Sequence, residues 1–499
     1  MGENLKQKAI NNLFYNFLTN VTGKLFGIIF MILLARILLP ELFGLYNLVF
    51  TILALAIFFT DIGISETTVK YVSENLREEG DEIKARSYFR YLLKTKVILT
   101  LSISLILILS AKLIANSIFN KPIIFFPLIF GSLYVFAISL SNFFRLIFLC
   151  TNNLSKSFLV GTIYEPLKII VVIIILYLLP KDIILSSLFI GLTFLGFILI
   201  PLIITFAGKD RKLIFGKRIP IERRKLFNYL EYMSLAGISI IIFGYVDTLM
   251  LGRFVEPAYL AFYRVGFGLV AAIASFFTFS SILLPIFSRA TDNTLGSGLE
   301  KIFRYLAIII IPSFFGAVIL GRYFILTLYG NEYLNALWPF YVFSLFILIL
   351  PLESIYLPIL QLKEKTKILF KINFASLILN IILNYVLIKS LLNINQIYAI
   401  TGAGIATVIS RLVLNISLIL YSKRLVKIRV NLFFIIKPVL ASLIMAAFLI
   451  IYNSKVDINI LTGLIEIFLG ALIYFIVMFL IKGVGKEDIK LIKSIGRNK

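Results

Sequence analysis

Apolar runs, each about as long as a membrane is thick, recur from near residue 13 to near residue 481, with short polar breaks between them. A membrane-crossing helix needs about 20 predominantly apolar residues. Runs of that length fall at about 13–36, 43–61, 91–112, 124–149, 158–179 and 183–206. A second set follows at about 228–250, 259–285, 305–328, 336–361, 368–388 and 400–421, and two more lie at 432–452 and 459–481. The pattern predicts an all-α polytopic membrane protein of about 14 transmembrane helices with both termini on one side. No connection is long enough for a folded soluble domain.

A short pattern repeats within this series. Arg36, Pro40, Gly44 and Tyr46 follow the first run, and Arg253, Pro257, Ala261 and Tyr263 follow the seventh. The spacing is the same, and each copy sits in the loop joining the first two helices of a block of six. Duplication of a six-helix block explains both facts. Two blocks of even span number share an orientation, so they are expected to be related by a pseudo-two-fold axis along the membrane normal. The expected organisation is a first lobe over 1–208, a basic linker over 209–227, a second lobe over 228–430, and two further helices with a basic tail over 431–499.

Polar residues inside the runs carry the candidate chemistry, because an ionisable group at mid-membrane costs roughly 2.5–3.5 kcal/mol and tends to face a cavity or a partner. Asn12, Asn16, Asn20 and Lys24 recur every four residues and form one stripe on the first helix, beside Gly23 and Gly27. Asn373, Ser376, Asn380 and Asn384 make a second stripe in the eleventh run, and Thr407, Arg411 and Asn415 share a face in the twelfth. Such stripes either line a cavity or glue helices together. Lys24 and Arg411 sit well inside their spans and are the best candidates for a cavity. Arg145, in the last turn or so of the fourth run, could equally snorkel to the interface. Asp61, Glu165, Asp247 and Glu353 are candidate ion-coupling carboxylates. Glu165 could pair with Lys168 three residues on, and Asp247 with Arg264 across an outer loop, as a gate or a structural bridge.

Composition agrees with the membrane reading: 60% of the 499 residues are hydrophobic and only 15% charged. A soluble domain is about 25% charged. The net charge of +24 would suggest nucleic acid in a soluble chain. Here only Arg36, Lys112, Lys121, Lys181, Arg253, Arg322, Lys389 and Lys455 fall on the outward side, while most of the 49 Lys and Arg lie with the termini. The positive-inside rule then puts both termini in the cytoplasm of a cell membrane, and nucleic acid drops out as a partner. Membrane lipids with anionic headgroups remain partners of the basic face. The first nine residues are polar and charged, and no removable leader is expected.

There is no histidine, and Cys150 is the only cysteine. His-based acid–base chemistry, Cys–His nucleophiles and multi-His or multi-Cys metal sites are thereby excluded. No phosphate-cradling Gly-rich loop with a Lys-Ser/Thr end occurs, so nothing marks an ATP site. An enzyme is not expected, nor any cofactor beyond Na⁺ or H⁺ as a coupling ion.

Four segments then carry a resemblance. They are Ala35 to Tyr46 with Asp61-Ile62-Gly63-Ile64; Asp247 through Gly252-Arg253-Phe254 to Tyr263; Leu328-Tyr329-Gly330-Asn331-Glu332-Tyr333; and Asn380 to Tyr385 with Gly402 to Thr407. In this order on fourteen spans the chain resembles the polysaccharide-type flippases of the multidrug/oligosaccharidyl-lipid/polysaccharide exporter superfamily. The third hydrophobic run lacks a comparable signature. The resemblance implies a V-shaped two-lobed bundle, alternating access and a lipid-linked oligosaccharide or polysaccharide precursor as substrate, moved from the cytoplasmic to the outer leaflet. It also implies a cationic central cavity. Lys24 stands where related flippases tend to carry a basic residue, and Arg145 is similar to a recurrent basic position in the fourth helix. Asn16, Asn20, Asn380 and Asn384 would meet sugar hydroxyls there. Glycan polymerases or glycosyltransferases of the same pathway are the expected protein partners. The alternative is a cation-coupled multidrug or metabolite antiporter of the same superfamily, against which Lys24 and the two extra helices weigh.

Overall fold

The computed structural model describes residues 2–77, 82–215, 219–221, 223–278, 287, 292–426, 433–456 and 459–483. Residues 279–285 of the eighth expected run, and the basic tail beyond 483, lie outside them. Every regular element among the described residues is helical. The α-helices in chain order are α1 (Gly2–Phe59), α2 (Ile64–Arg77), α3 (Glu82–Lys112), α4 (Phe125–Cys150), α5 (Leu154–Leu178), α6 (Ile184–Ala207), α7 (Arg223–Phe254) and α8 (Pro257–Ser275). Then come α9 (Asp292–Tyr329), α10 (Leu337–Ser344), α11 (Phe346–Leu362), α12 (Thr366–Leu392), α13 (Gln396–Leu425), α14 (Phe433–Lys455) and α15 (Ile460–Leu480).

Twelve continuous helical segments among the described residues are long and apolar enough to cross a membrane. One of them, Phe14–Leu76, holds the first two expected runs, joined end to end within α1. Their junction is Leu39, at φ 60° and ψ 169°, directly before Pro40. Proline bars the residue before it from helical angles. Leu39 instead takes a backbone region ordinarily left to glycine, at a cost of about 1–3 kcal/mol. The second copy of the duplicated pattern marks the same event, since α8 begins at Pro257 with only Val255 and Glu256 between it and the end of α7.

Packing divides the chain into two compact units, Met1–Leu260 and Ala261–Lys499. Composition placed the link at the basic stretch 209–227, whereas the packing boundary falls after α7, because α7 lies against α1 and α2. The repeat residues explain part of that attachment. A Cβ on Gly44 would lie 1.7 Å from the Pro257 carbonyl oxygen, so the small residue of one copy is where the backbone of the other comes in. Close by, Lys121 Nζ donates to the carbonyls of Gly252 and Val255 at 2.7 and 3.2 Å, and Arg253 donates to that of Ser117. A cation on the last carbonyls of a helix complements its dipole. Desolvation, then the nearby Arg253, holds the Lys121 ammonium below the ordinary lysine pKa, opposed by Glu256.

Within the first unit, α4 packs closely on α6 through small residues, as membrane helices do without a hydrophobic drive. Gly196 faces Ala137, and Ser141 Oγ donates to the Gly196 carbonyl at 2.6 Å. Within the second unit, α12 packs on α13 in the same style, with Gly402 against Leu391 and Leu387. The C-terminal pair α14 and α15 closes on α9 around Ile308, Met445, Leu449 and Tyr474, and the Tyr474 hydroxyl donates to the Ile308 carbonyl.

Candidate functional site

In the first unit the polar stripe of α1 splits in two. Asn12 is buried, and its amide donates to Asn152 Oδ1 at 2.7 Å and to the Asn152 carbonyl at 3.1 Å, tying α1 to the turn before α5. Asn16, Asn20 and Lys24 are exposed, with Asn20 Nδ2 donating to Asn16 Oδ1 at 3.3 Å. A Cβ on Gly23 or Gly27 would meet nothing within 4 Å. The open part of the stripe thus runs along two turns of one helix with space at its side.

Glu165 and Lys168 form the expected ion pair on α5, both partly buried. The Lys168 ammonium also lies 4.8 Å from the Phe30 ring centroid and 5.7 Å from that of Tyr164. Arg145 of α4 is within electrostatic reach of the same Glu165. One carboxylate therefore faces two cations, contributed by neighbouring helices. That neutralises part of the charge which snorkelling alone would have to carry to water.

Asp61 has a partner that the sequence reading did not single out. Lys96 Nζ reaches Asp61 Oδ1 at 2.8 Å and Thr60 Oγ1 at 3.4 Å, and its side chain is 3% exposed. Ser65 donates to the same carboxylate oxygen, and Thr60 donates to Ser139 Oγ. The network braces the turn at Asp61, Ile62 and Gly63, where the φ angles of Ile62 and Gly63 are positive. The third run has no part in the resemblance, yet it supplies this buried cation. A signal was present in the spacing, because Lys96, Thr100 and Ser104 recur every four residues and all three are buried.

In the second unit, two separate candidates come together. Arg411 Nη1 of α13 donates to both carboxylate oxygens of Glu353 on α11, at 2.9 and 3.0 Å. The two side chains are 21% and 17% exposed, so the pair is neither sealed nor free in solvent. Asn415, one turn on, donates to the Arg411 carbonyl.

The stripe of α12 has the other fate. Asn380 and Asn384 are 0% exposed. Asn380 Nδ2 donates to Thr407 Oγ1, Asn384 Nδ2 donates to the Asn380 carbonyl, and Ser376 Oγ donates to the Ser410 carbonyl. These residues were expected to line a cavity with Lys24 and Arg411. The structure instead packs them into the α12–α13 seam, where the amide N–H₂ groups and the Ser376 hydroxyl donate across and along the two helices. Asp247 is buried in α7, while Arg264 on α8 lies over the Phe267 ring at 5.7 Å. They belong to different units.

Comparison with known proteins agrees with this architecture. Residues 9–291 match the family described as polysaccharide biosynthesis protein. An uncharacterized membrane protein of Methanocaldococcus jannaschii, MJ1068, is 25% identical over 432 residues, which is 81% of this chain and 82% of that one. A probable low-salt glycan biosynthesis flippase of Haloferax volcanii, Agl15, is 26% identical over 281 residues, or 54% of this chain and 56% of its own. The fold superposes on a lipid II flippase, MurJ, in an inward closed conformation, with a TM-score of 0.75 at 18% identity over 94% of this chain and 98% of the other. It also superposes on an inward-facing multidrug resistance MATE family transporter of the MOP superfamily, with a TM-score of 0.58 at 14% identity over 81% and 94%. With more than half of its length matched, this multi-pass membrane chain belongs to the polysaccharide biosynthesis protein family.

Proposed function

We propose that the protein moves a lipid-linked oligosaccharide or polysaccharide precursor from the cytoplasmic to the outer leaflet by alternating access, with both termini in the cytoplasm of a cell membrane. The observation that carries this reading is the exposed stripe Asn16, Asn20 and Lys24 beside the open space at Gly23 and Gly27. A row of amides ending in an ammonium would be costly against lipid tails and is suited to a wet path. Amides donate to and accept from sugar hydroxyls, and the ammonium answers the phosphate or pyrophosphate that links glycan to lipid. Arg411 is the second unit's own candidate for such an anion, and would take a phosphate oxygen in exchange for its Glu353 partner. Arg145 would hold the first unit's charge balance through Glu165.

The name of the Haloferax volcanii relative supports the glycan reading, and the MurJ likeness supports the fold that such a task uses. A Na⁺ or H⁺ gradient would supply the work, and glycan polymerases or glycosyltransferases would act before or after the step.

Vesicle reconstitution tests the reading. The protein is placed in liposomes carrying a fluorescent short-chain lipid pyrophosphoryl oligosaccharide in one leaflet, and an impermeant quencher reports its crossing. Protein-dependent crossing is the expected result. Gradient-driven uptake of a cationic dye with no crossing of the glycan lipid would replace the proposal with the multidrug antiporter.

A further inference from the structure

The fourteenth run carries a carboxylate that no part of the transport reading uses. Glu466 lies on α15, six residues beyond Ile460 and so about 9 Å into the helix at 1.5 Å per residue. Its side chain is 0% exposed. Among the described residues neither carboxyl oxygen has a hydrogen-bond partner, and the Oδ1 atom of Asn453 is also buried without one. Glu466 lines a pocket of about 170 Å³ between α9 and α15, together with Tyr323, Thr327, Asn459 and Gly463. Asn453, near the end of α14, is its polar neighbour.

Charge must be accounted for here. An isolated ionised carboxylate in an apolar setting costs tens of kcal/mol by ion solvation, and such a group neutralises instead. Among the described residues no hydrogen bond or ion pair joins a cation to it. Tyr323 is the one other titratable side chain lining the pocket. Arg322 on α9 and Lys455 on α14 are exposed, and Tyr474 on α15 is engaged with the Ile308 carbonyl. Asn459 is committed to capping α15, where its side chain accepts from Thr462 N.

We propose that Glu466 is a proton-binding site of the second unit: its carboxyl is neutral in this sealed state, and it releases and retakes a proton as α15 shifts against α9 and α14. Asn453 makes the exchange workable, because an amide can serve both forms. Its oxygen, unpartnered here, can accept from the carboxylic acid, and after a flip its N–H₂ can donate to the carboxylate. On release the carboxyl O–H bond breaks, the proton passes to water entering the pocket, and the electron pair stays on Glu466. A purely structural contact would be served as well by Gln, which cannot ionise. The proposal deepens the transport reading above and rests on it only for what the proton drives.

The test is infrared difference spectroscopy of the full chain in lipid nanodiscs, comparing acid and alkaline buffer, on wild type, Glu466→Gln and Glu466→Asp. The wild type should show a protonated-carboxyl band that disappears reversibly as the buffer turns alkaline. That band should be missing from Glu466→Gln and displaced in Glu466→Asp. A band that persists unchanged in Glu466→Gln, or one that never titrates while the wild type stays folded, overturns the proposal. The band reads the carboxyl whatever the cargo is. A titrating band with no glycan crossing in vesicles therefore removes the cargo and keeps the site.

Discussion

Two polar stripes with the same four-residue spacing end in opposite surroundings. On α1, Asn16, Asn20 and Lys24 are exposed beside open space, whereas on α12, Asn380 and Asn384 are fully buried against α13. Spacing tells which residues share a helix face, and it does not tell what covers that face. Glycine neighbours separate the two cases. A Cβ on either glycine beside the α1 stripe would meet nothing within 4 Å, while one on Gly402 of α13 would meet Leu391 and Leu387 of α12. A small residue in contact marks a seam, and a small residue without contact leaves the helix face open.

The largest predicted effect comes from placing charge on each stripe. Asn380→Asp would bury an unpaired carboxylate in the seam and should cost on the order of 3 kcal/mol or more, read as a lowered thermal midpoint in nanodiscs. Asn20→Asp should leave that midpoint within about 0.5 kcal/mol of wild type. Equal losses in the two variants would mean that the α1 stripe is sealed as well.

Packing gives the next contrast. Gly402→Ala should destabilise by about 1–3 kcal/mol, because its Cβ would stand 2.6 Å from Leu391 Cδ1 and 3.3 Å from Leu387 Cβ. Gly27→Ala should be neutral, or more stable by up to about 1 kcal/mol from helix propensity. The smallest contrast concerns single amides. Asn384→Ala removes a buried hydrogen bond to the Asn380 carbonyl and should cost about 1 kcal/mol. Asn16→Ala should leave stability unchanged while slowing export of the glycan lipid. A stability loss in Asn16→Ala matching that of Asn384→Ala would erase the distinction between path and seam.

Much of the scaffold was legible because membrane helices announce themselves by length and composition. A break near Pro40 was legible as a loop between the first two runs, whereas their joining end to end through a kink at Leu39 was not. Glu165 with Lys168 could be read from i, i+3 spacing within one helix. Glu353 with Arg411 could not, because the two lie on different helices and periodicity carries no information about which faces meet. Lys96 was hidden differently. It sits near the basic end of its run, where a lysine ordinarily reads as an interfacial anchor, and only its packing against Asp61 shows otherwise. Glu466 is one acid in a long apolar run, and its spacing to other polar residues forms no stripe.

The central claim is that the open stripe of α1 holds the anionic linkage of a lipid-linked glycan at Lys24. The most direct test is export of the surface glycan in cells carrying Lys24→Ala, Lys24→Glu or Lys24→Arg, with membrane levels of each protein matched to wild type. The account predicts loss of export with Ala, a complete block with Glu, and recovery with Arg, which keeps the positive charge. Normal export by Lys24→Glu at wild-type protein level would contradict it.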